Sequence, residues 1–212
     1  MYGDNPEHFD LIYIGALGLS CVFCLADKDA LGALVILLGL WIVSQVIYML
    51  PENMYSLALV YFFCLILPIT FRDNITAKIT LLITLFCIAA EVYWWHTNYA
   101  NKPQIHYFLG LLVLTDLARV LLLKRVFIVY EYFGWISGKT ALDWQIRGIL
   151  LVGYLMLTLM LLEYFIRHLA GLSQVTIVYY NFTIIANILS GITLVIIYMH
   201  YFYNQSKKHL QA

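Results

Sequence analysis

The sequence predicts an all-α membrane protein, a polytopic bundle of about seven transmembrane helices with the N-terminus outside and the C-terminus in the cytoplasm. Hydrophobic residues make up 63% of its 212 residues and charged residues only 11%, whereas a soluble domain has about 25% charged residues. The apolar residues fall into blocks near the roughly 20 residues that cross a bilayer as a helix, and they lack the short alternation of an outer-membrane barrel. We therefore expect a single membrane-embedded domain over residues 1–212.

Short polar segments divide the apolar blocks and set the boundaries of the spans. Residues 27–29 end the first block, residues 51–53 the second and residues 72–74 the third. Polar residues 97–104 precede the fifth block, and a long mixed segment, 124–146, precedes the sixth. The predicted spans cover residues 9–26, 30–50, 55–71, 75–96, 105–123, 147–168 and 174–203.

The largest piece outside the predicted spans is residues 124–146. It combines many aromatic residues with basic side chains such as Lys124 and Arg125, a mixture typical of a helix that lies in the membrane interface. Thr140 and Asp143 have the spacing of a helix N-terminal cap. We therefore expect a cytoplasmic interfacial segment that leads directly into the sixth span.

The distribution of Lys and Arg predicts the orientation of the bundle. With seven spans and an external N-terminus, ten of the twelve Lys and Arg residues fall on the inner side, and only Lys102 and Arg167 fall on the outer side. Such an excess is typical of cytoplasmic loops. The small size and the clear charge bias favour a bacterial inner membrane.

Asp116 and Arg119 place two charges one helical turn apart inside the predicted fifth span. At 1.5 Å per residue, Asp116 lies roughly 17 Å from the outer end of that span, near the middle of the bilayer. A charge at that depth costs about 2.5–3.5 kcal/mol on insertion scales. Two interpretations stay open: a structural bridge that fixes the fifth helix against its neighbours, or a proton or cation site at Asp116 whose pKa Arg119 tunes.

Two further acids, Glu91 and Glu163, fall in the outer halves of the fourth and sixth predicted spans. Arg167 follows Glu163 by one helical turn and is its candidate partner. The two carboxylates are candidates for the same roles as Asp116, either an ion or proton site or a structural charge.

Three histidines, His96, His106 and His168, lie near the same predicted outer boundary. Together with carboxylates at similar depth they suit an outward-facing metal or proton site, because imidazole and carboxylate bind transition metals and titrate usefully. Equal depth does not place the helices side by side, so we predict no bound metal or cofactor.

The seventh span carries a set of small and amide-bearing residues. These are Asn181, Asn187, Ser190 and Gly191. Such residues allow close helix contact and hydrogen bonds between helices, so we predict a packing role. A polar pore lining that faces Asp116 is the alternative.

The pair of cysteines in "CVFC", Cys21 and Cys24, resembles a redox or metal motif. Its depth in the first span places it toward the reducing cytoplasmic side, and Cys64 and Cys87 are isolated in other spans. We therefore predict that these cysteines are small packing residues.

Three classes of function remain. A noncatalytic subunit or assembly partner of a larger membrane complex is favoured by the small size and the aromatic-rich composition. A small channel, or an ion- or proton-coupled transporter, would explain the intramembrane acids. A membrane enzyme that acts on a lipid or a quinone comes third, because no nucleophile–base pair or metal-ligand spacing is present in the sequence. The expected partners are the lipid bilayer and other membrane subunits or further copies of this chain, with no nucleic acid.

Overall fold

The computed structural model describes residues 6–51, 53–71, 74–99, 103–134 and 141–211, and side chains in most of them. This part of the chain is helical and contains no β-strand, which confirms the predicted all-α class. The helices are α1 (Pro6–Phe23), a 3-10 turn (Cys24–Ala26), α2 (Lys28–Met49), α3 (Met54–Thr70), α4 (Ile75–His96), α5 (Ile105–Phe133), α6 (Ala141–His168) and α7 (Ile177–Gln211).

Four of the described helices are long and apolar enough to cross a membrane: α2, α4, α6 and the Ile177–Asn204 part of α7. Two shorter apolar helices cover Ile12–Phe23 and Met54–Thr70. These are the helices expected of an integral membrane protein. The seven crossings and the orientation stay predictions.

The helix that contains Asp116 continues past its predicted end. α5 runs on through residues 124–133, because the sequence contains no glycine or proline between Leu111 and Gly134. Gly134 then adopts a φ of +62°, and its N–H bonds the Tyr130 carbonyl at 3.0 Å, as is common just past a helix C-terminus. The predicted interfacial segment 124–146 is therefore partly an extension of α5, and Thr140 lies outside the described residues.

Contacts divide the chain into two compact units, and the first comprises Met1–Ile42, Ala118–Leu150 and Ile184–Ala212. Its buried core consists of Leu17, Cys24, Ala30, Ala33, Leu34, Leu37, Leu122, Leu142, Ile146 and Ile197. Cys24 belongs to this core and Cys21 packs against it, which confirms the packing role predicted for the pair. Two hydrogen bonds join α1 to α7: Ser20 donates to the Tyr198 hydroxyl at 3.0 Å, and the side chains of Tyr13 and Ser190 bond each other.

The second unit comprises Val43–Leu117 and Leu151–Thr183. α4 buries a stripe of mostly small residues at helical spacing, which is Ala77, Thr80, Thr84, Cys87, Ala90 and Trp94. Small side chains permit close packing between membrane helices. The Thr80 hydroxyl bonds the Tyr154 hydroxyl of α6 at 3.0 Å, so α4 and α6 are joined by polar contact as well as by packing.

Candidate functional site

Asp116 and Arg119 are both buried on α5, with exposed fractions of 5% and 7%. Each side chain takes part in a polar or electrostatic interaction. Asp116 belongs to the second unit and Arg119 to the first. The depth of the pair in the bilayer and both of its interpretations, bridge or ion site, stay predictions.

Glu163 has a structural role that the sequence does not reveal. Its side chain is buried on α6, and its two carboxylate oxygens accept hydrogen bonds from the backbone N–H groups of Val178 at 2.7 Å and Tyr179 at 3.1 Å. These N–H groups belong to the first turn of α7, where no partner within the helix exists. A carboxylate at this end also opposes the positive end of the helix dipole. Glu163 therefore caps α7 from a neighbouring helix.

The predicted partner of Glu163 lies elsewhere. The Arg167 guanidinium is 5.4 Å from the centre of the Tyr179 ring, in the geometry of a cation–π contact. Within the described residues no ion pair joins Arg167 to Glu163. The pairing suggested by their spacing is therefore not found among the described residues, where the carboxylate accepts from the α7 backbone instead.

Glu91 is half-buried on α4, and both of its carboxylate oxygens are shielded from solvent. The side chain interacts with other groups of the chain, so its role as ion site or structural charge stays a prediction.

The three predicted histidines do not form a metal site in the described part of the chain, where no three His, Cys, Asp or Glu side chains are grouped to hold a metal ion. His168 instead lies among aromatic rings: its Nδ1 is 3.3 Å from the Tyr99 hydroxyl, and its ring centre is 6.2 Å from that of Trp94. His96 is exposed at the end of α4 and His106 is half-buried on α5.

The polar residues of α7 have different surroundings. The Ser190 side chain forms a hydrogen bond with that of Tyr13. The Asn181 amide donates to the Ile177 carbonyl of its own helix at 2.8 Å. A Cβ added at Gly191 would meet no atom of the described residues within 4 Å outside its own helix backbone. Asn187 is half-buried and makes no hydrogen bond to any described residue.

One side of α7 is poorly covered by the rest of the chain. Only 11% of its apolar span is buried, against 28–33% of the spans in α2, α4 and α6. Large apolar residues on this side are more than half exposed. The side, called here the outward face of α7, consists of Ile184, Asn187, Ile188, Gly191, Val195, Met199 and Phe202.

The first unit contains a buried ionic centre that the sequence does not reveal. Arg125 on α5 is 2% exposed. Its Nε and Nη2 donate to Asp143 Oδ1 and Oδ2, each at 2.8 Å, and its Nη1 donates to Asp29 Oδ1 at 3.0 Å. Burial alone would lower the pKa of Arg125, but the hydrogen bonds and charges of the two carboxylates outweigh it and raise the pKa. The centre joins α5 to the first turns of α2 and α6.

A second polar contact lies at the start of α2. Asp27 Oδ1 accepts from the Ala30 N–H at 3.2 Å, and Asp27 Oδ2 accepts from the Asn204 amide of α7 at 2.8 Å. Burial alone would raise the pKa of Asp27, but these hydrogen bonds and the charge of His200 lower it. Asp27 thus caps α2 and also bonds the C-terminal part of α7 through Asn204.

No protein-family model, curated protein or solved structure matches this chain. Its two strongest features are the outward face of α7, which is apolar but contains an amide, and the ionic centre of Arg125, which is closed off by its own carboxylates.

Proposed function

We propose that this protein is a noncatalytic subunit or assembly partner of a larger membrane complex and that the outward face of α7 binds the partner. The observation that carries the proposal is Asn187: its amide lies on that face among exposed apolar residues and has no hydrogen bond to any described residue. An amide has two donors and an acceptor. A helix of a partner chain would supply the hydrogen-bond partner that the described residues do not offer to the Asn187 amide.

The depth of Asn187 in the membrane increases the free-energy cost of leaving its amide without a hydrogen bond. The residue lies ten positions after Ile177, where the apolar span of α7 begins, which is about 15 Å along the helix axis. The hydrocarbon core is about 30 Å thick, so the amide lies near its middle. Water is absent there, and an unsatisfied polar group is costly in hydrocarbon.

The neighbourhood of Asn187 suits a second helix. Gly191 lies one turn further along the same face, and its missing side chain leaves open space. A partner backbone can approach closely at a glycine, and an amide one turn away can then form a hydrogen bond between the helices. The exposed side chains of Ile184, Ile188 and Val195 supply the surrounding packing surface.

The described contacts of the interior charges also support an assembly role. Glu163 caps α7, and Asp143 and Asp29 bind Arg125. These side chains stabilise helix ends and helix contacts, which is what a structural subunit requires.

The test is purification of the tagged protein from its native host in mild detergent, followed by mass determination of the intact complex. We expect stoichiometric recovery with at least one different membrane protein. The substitution Asn187→Leu should release that partner while the tagged chain still inserts and accumulates. Gly191→Leu should have the same effect, because its side chain fills the space for the partner backbone.

Asn181→Leu is the matched control, since it makes the same change on the same helix at an amide that already bonds the Ile177 carbonyl. It should leave the complex intact. Recovery of the wild-type chain as a monomer, or as copies of itself alone, would overturn the proposal, and so would equal loss of the partner in both asparagine variants.

A small channel or an ion- or proton-coupled transporter is the second candidate, and the observation that favours it is the burial of Asp116 on a helix of the bundle. Intramembrane acids commonly mark ion or proton paths. Flux through liposomes that contain the purified chain alone would favour this function over the first.

A further inference from the structure

A small pocket opens at the start of α6, on the surface of the first unit. It is a shallow depression with a cavity volume of about 10 Å³, and it is lined by Leu122 and Leu123 of α5 and by Asp143, Trp144 and Arg147 of α6. One side of the pocket is therefore apolar, and the other carries a guanidinium group and an indole ring. α6 is one of the helices apolar enough to span a membrane, so its first turns lie where the hydrocarbon meets the polar surface.

The guanidinium group in this pocket has no anionic partner. Arg147 makes no ion pair and no hydrogen bond with the described residues, and its Cζ lies 5.4 Å from the centre of the Trp144 ring. Asp143 is the nearest acid along the helix, but both of its oxygens accept from Arg125 at 2.8 Å. Asp143 is therefore engaged by Arg125, and among the described residues no acid pairs with Arg147, which is available to bind an anion from outside the chain.

Trp144 indicates where that anion would come from. The ring is 59% exposed, and tryptophan on a membrane helix is enriched at the level of the lipid headgroups. It also lies against Arg147, so the cation is held at the same level. An arginine presents a planar fork of donors that fits phosphate oxygens in pairs.

We propose that this pocket binds the headgroup of a membrane phospholipid. Arg147 donates to the phosphodiester oxygens, Trp144 packs beside the glycerol region, and the half-buried Leu123 contacts the first part of an acyl chain. Basic pockets between membrane helices bind phospholipid headgroups in this way. The proposal does not depend on the partner proposed for α7, because it concerns different residues and a different ligand.

Binding is tested on the purified full-length chain after detergent exchange has removed copurified lipid. Native mass spectrometry would follow the titration of dioleoyl phosphatidylglycerol, with dioleoylglycerol and inorganic phosphate as separate probes. We expect one tightly retained phosphatidylglycerol per chain and weak retention of dioleoylglycerol, which lacks the phosphate. Equal retention of the two lipids would overturn the proposal. Binding of inorganic phosphate as strong as that of the lipid would also overturn it, because free phosphate would then be the ligand.

Arg147→Gln should weaken retention of the phospholipid by about tenfold, since it removes a charge-assisted pair of hydrogen bonds. Arg167→Gln is the matched control: Arg167 lies on the same helix and also 5.4 Å from an aromatic ring, that of Tyr179. It should leave retention of the tightly bound lipid unchanged. Equal losses in the two variants would mean that any arginine near the interface attracts lipid, which would contradict a specific pocket. If Arg147→Gln fails to fold, Arg147→Lys keeps the positive charge but not the planar guanidinium and should still weaken retention of the phospholipid. The comparison of phosphatidylglycerol with dioleoylglycerol on the wild-type chain tests the proposal independently of any variant.

Discussion

Arg125 and Asp143 form a bidentate ion pair in which two guanidinium nitrogens donate to two carboxylate oxygens, each at 2.8 Å. The two residues are 2% and 7% exposed, so solvent screens the pair weakly. The third donor of the guanidinium reaches Asp29 at 3.0 Å. One arginine therefore joins three helices, and the removal of either partner leaves a buried charge behind.

Arg125→Met tests this centre, because it leaves Asp143 buried without its cation. We expect the free energy of unfolding in detergent to fall by about 3–5 kcal/mol, measured by thermal or denaturant unfolding. Adding Asp143→Leu to Arg125→Met should restore much of the loss, since no unpaired charge then stays buried. If the double variant is no more stable than Arg125→Met alone, the pair does not act as a unit.

Gly32 provides space for the Arg125 side chain. A Cβ at Gly32 would lie 3.0 Å from Cδ and 3.4 Å from Cγ and Nη1 of Arg125, and the two carboxylates prevent the guanidinium from moving away. We expect Gly32→Ala to lower the free energy of unfolding by about 1–3 kcal/mol. Gly39→Ala on the same helix is the control, because a Cβ there meets no atom within 4 Å, and it should leave stability unchanged or slightly higher. Equal stability of the two variants would argue against a close contact at Gly32.

Glu163 should act as a cap and not as a proton carrier. Glu163→Ala leaves two backbone N–H groups of α7 without their acceptor, and we expect a loss of about 1–3 kcal/mol in the free energy of unfolding. Glu163→Gln keeps one carbonyl oxygen at the site and should lose less. Thermal unfolding of the purified variants measures the difference. Similar losses for alanine and glutamine would show that the remaining acceptor does not satisfy the α7 backbone.

The sequence was sufficient for the helical class and for most helix positions, because apolar blocks near the length of a membrane span are a strong signal. α4 begins and ends where the polar residues around it predicted. The end of α5 was missed, since charged and aromatic residues after Leu123 suggested a separate segment, while Gly134 was the residue that ends the helix.

The functional side chains were harder to predict than the helices. Arg125, Asp29 and Asp143 are far apart in the sequence, and only helix packing brings them together. The role of Glu163 is equally hidden in the sequence, because its partners are backbone N–H groups, which leave no signal in the residue types. Asp29 and Asp143 each lie in the first turn of an observed helix, α2 and α6, which begin two and six residues before the spans that the sequence predicts.

The lowered pKa of Asp27 predicts that the stability of the fold decreases at low pH. Its pKa in the folded chain is lowered from the ordinary value of 3.8, so its contribution to stability is present above that value and is lost as the pH falls through the lower, folded pKa. We expect the melting temperature of the wild type to fall as the pH is lowered through 3.8 and below it, and Asp27→Asn to show a smaller fall. Glu131→Gln, which changes an exposed carboxylate, should leave the pH profile unchanged. Identical profiles for Asp27→Asn and the wild type would show that Asp27 makes no such contribution.

Asp116 and Arg119 separate the structural interpretation of α5 from the transport interpretation, because both are buried and the two roles predict different losses. If Asp116 is a structural charge, Asp116→Asn should lower the melting temperature, and Arg119→Leu combined with it should restore part of the loss, since one unpaired charge is removed. If Asp116 is an ion or proton site, Asp116→Asn should abolish flux in liposomes while expression and melting temperature stay near those of the wild type. The proposed assembly role predicts the structural outcome, a lower melting temperature that Arg119→Leu partly restores. A loss of flux without a loss of stability would instead favour a transport function.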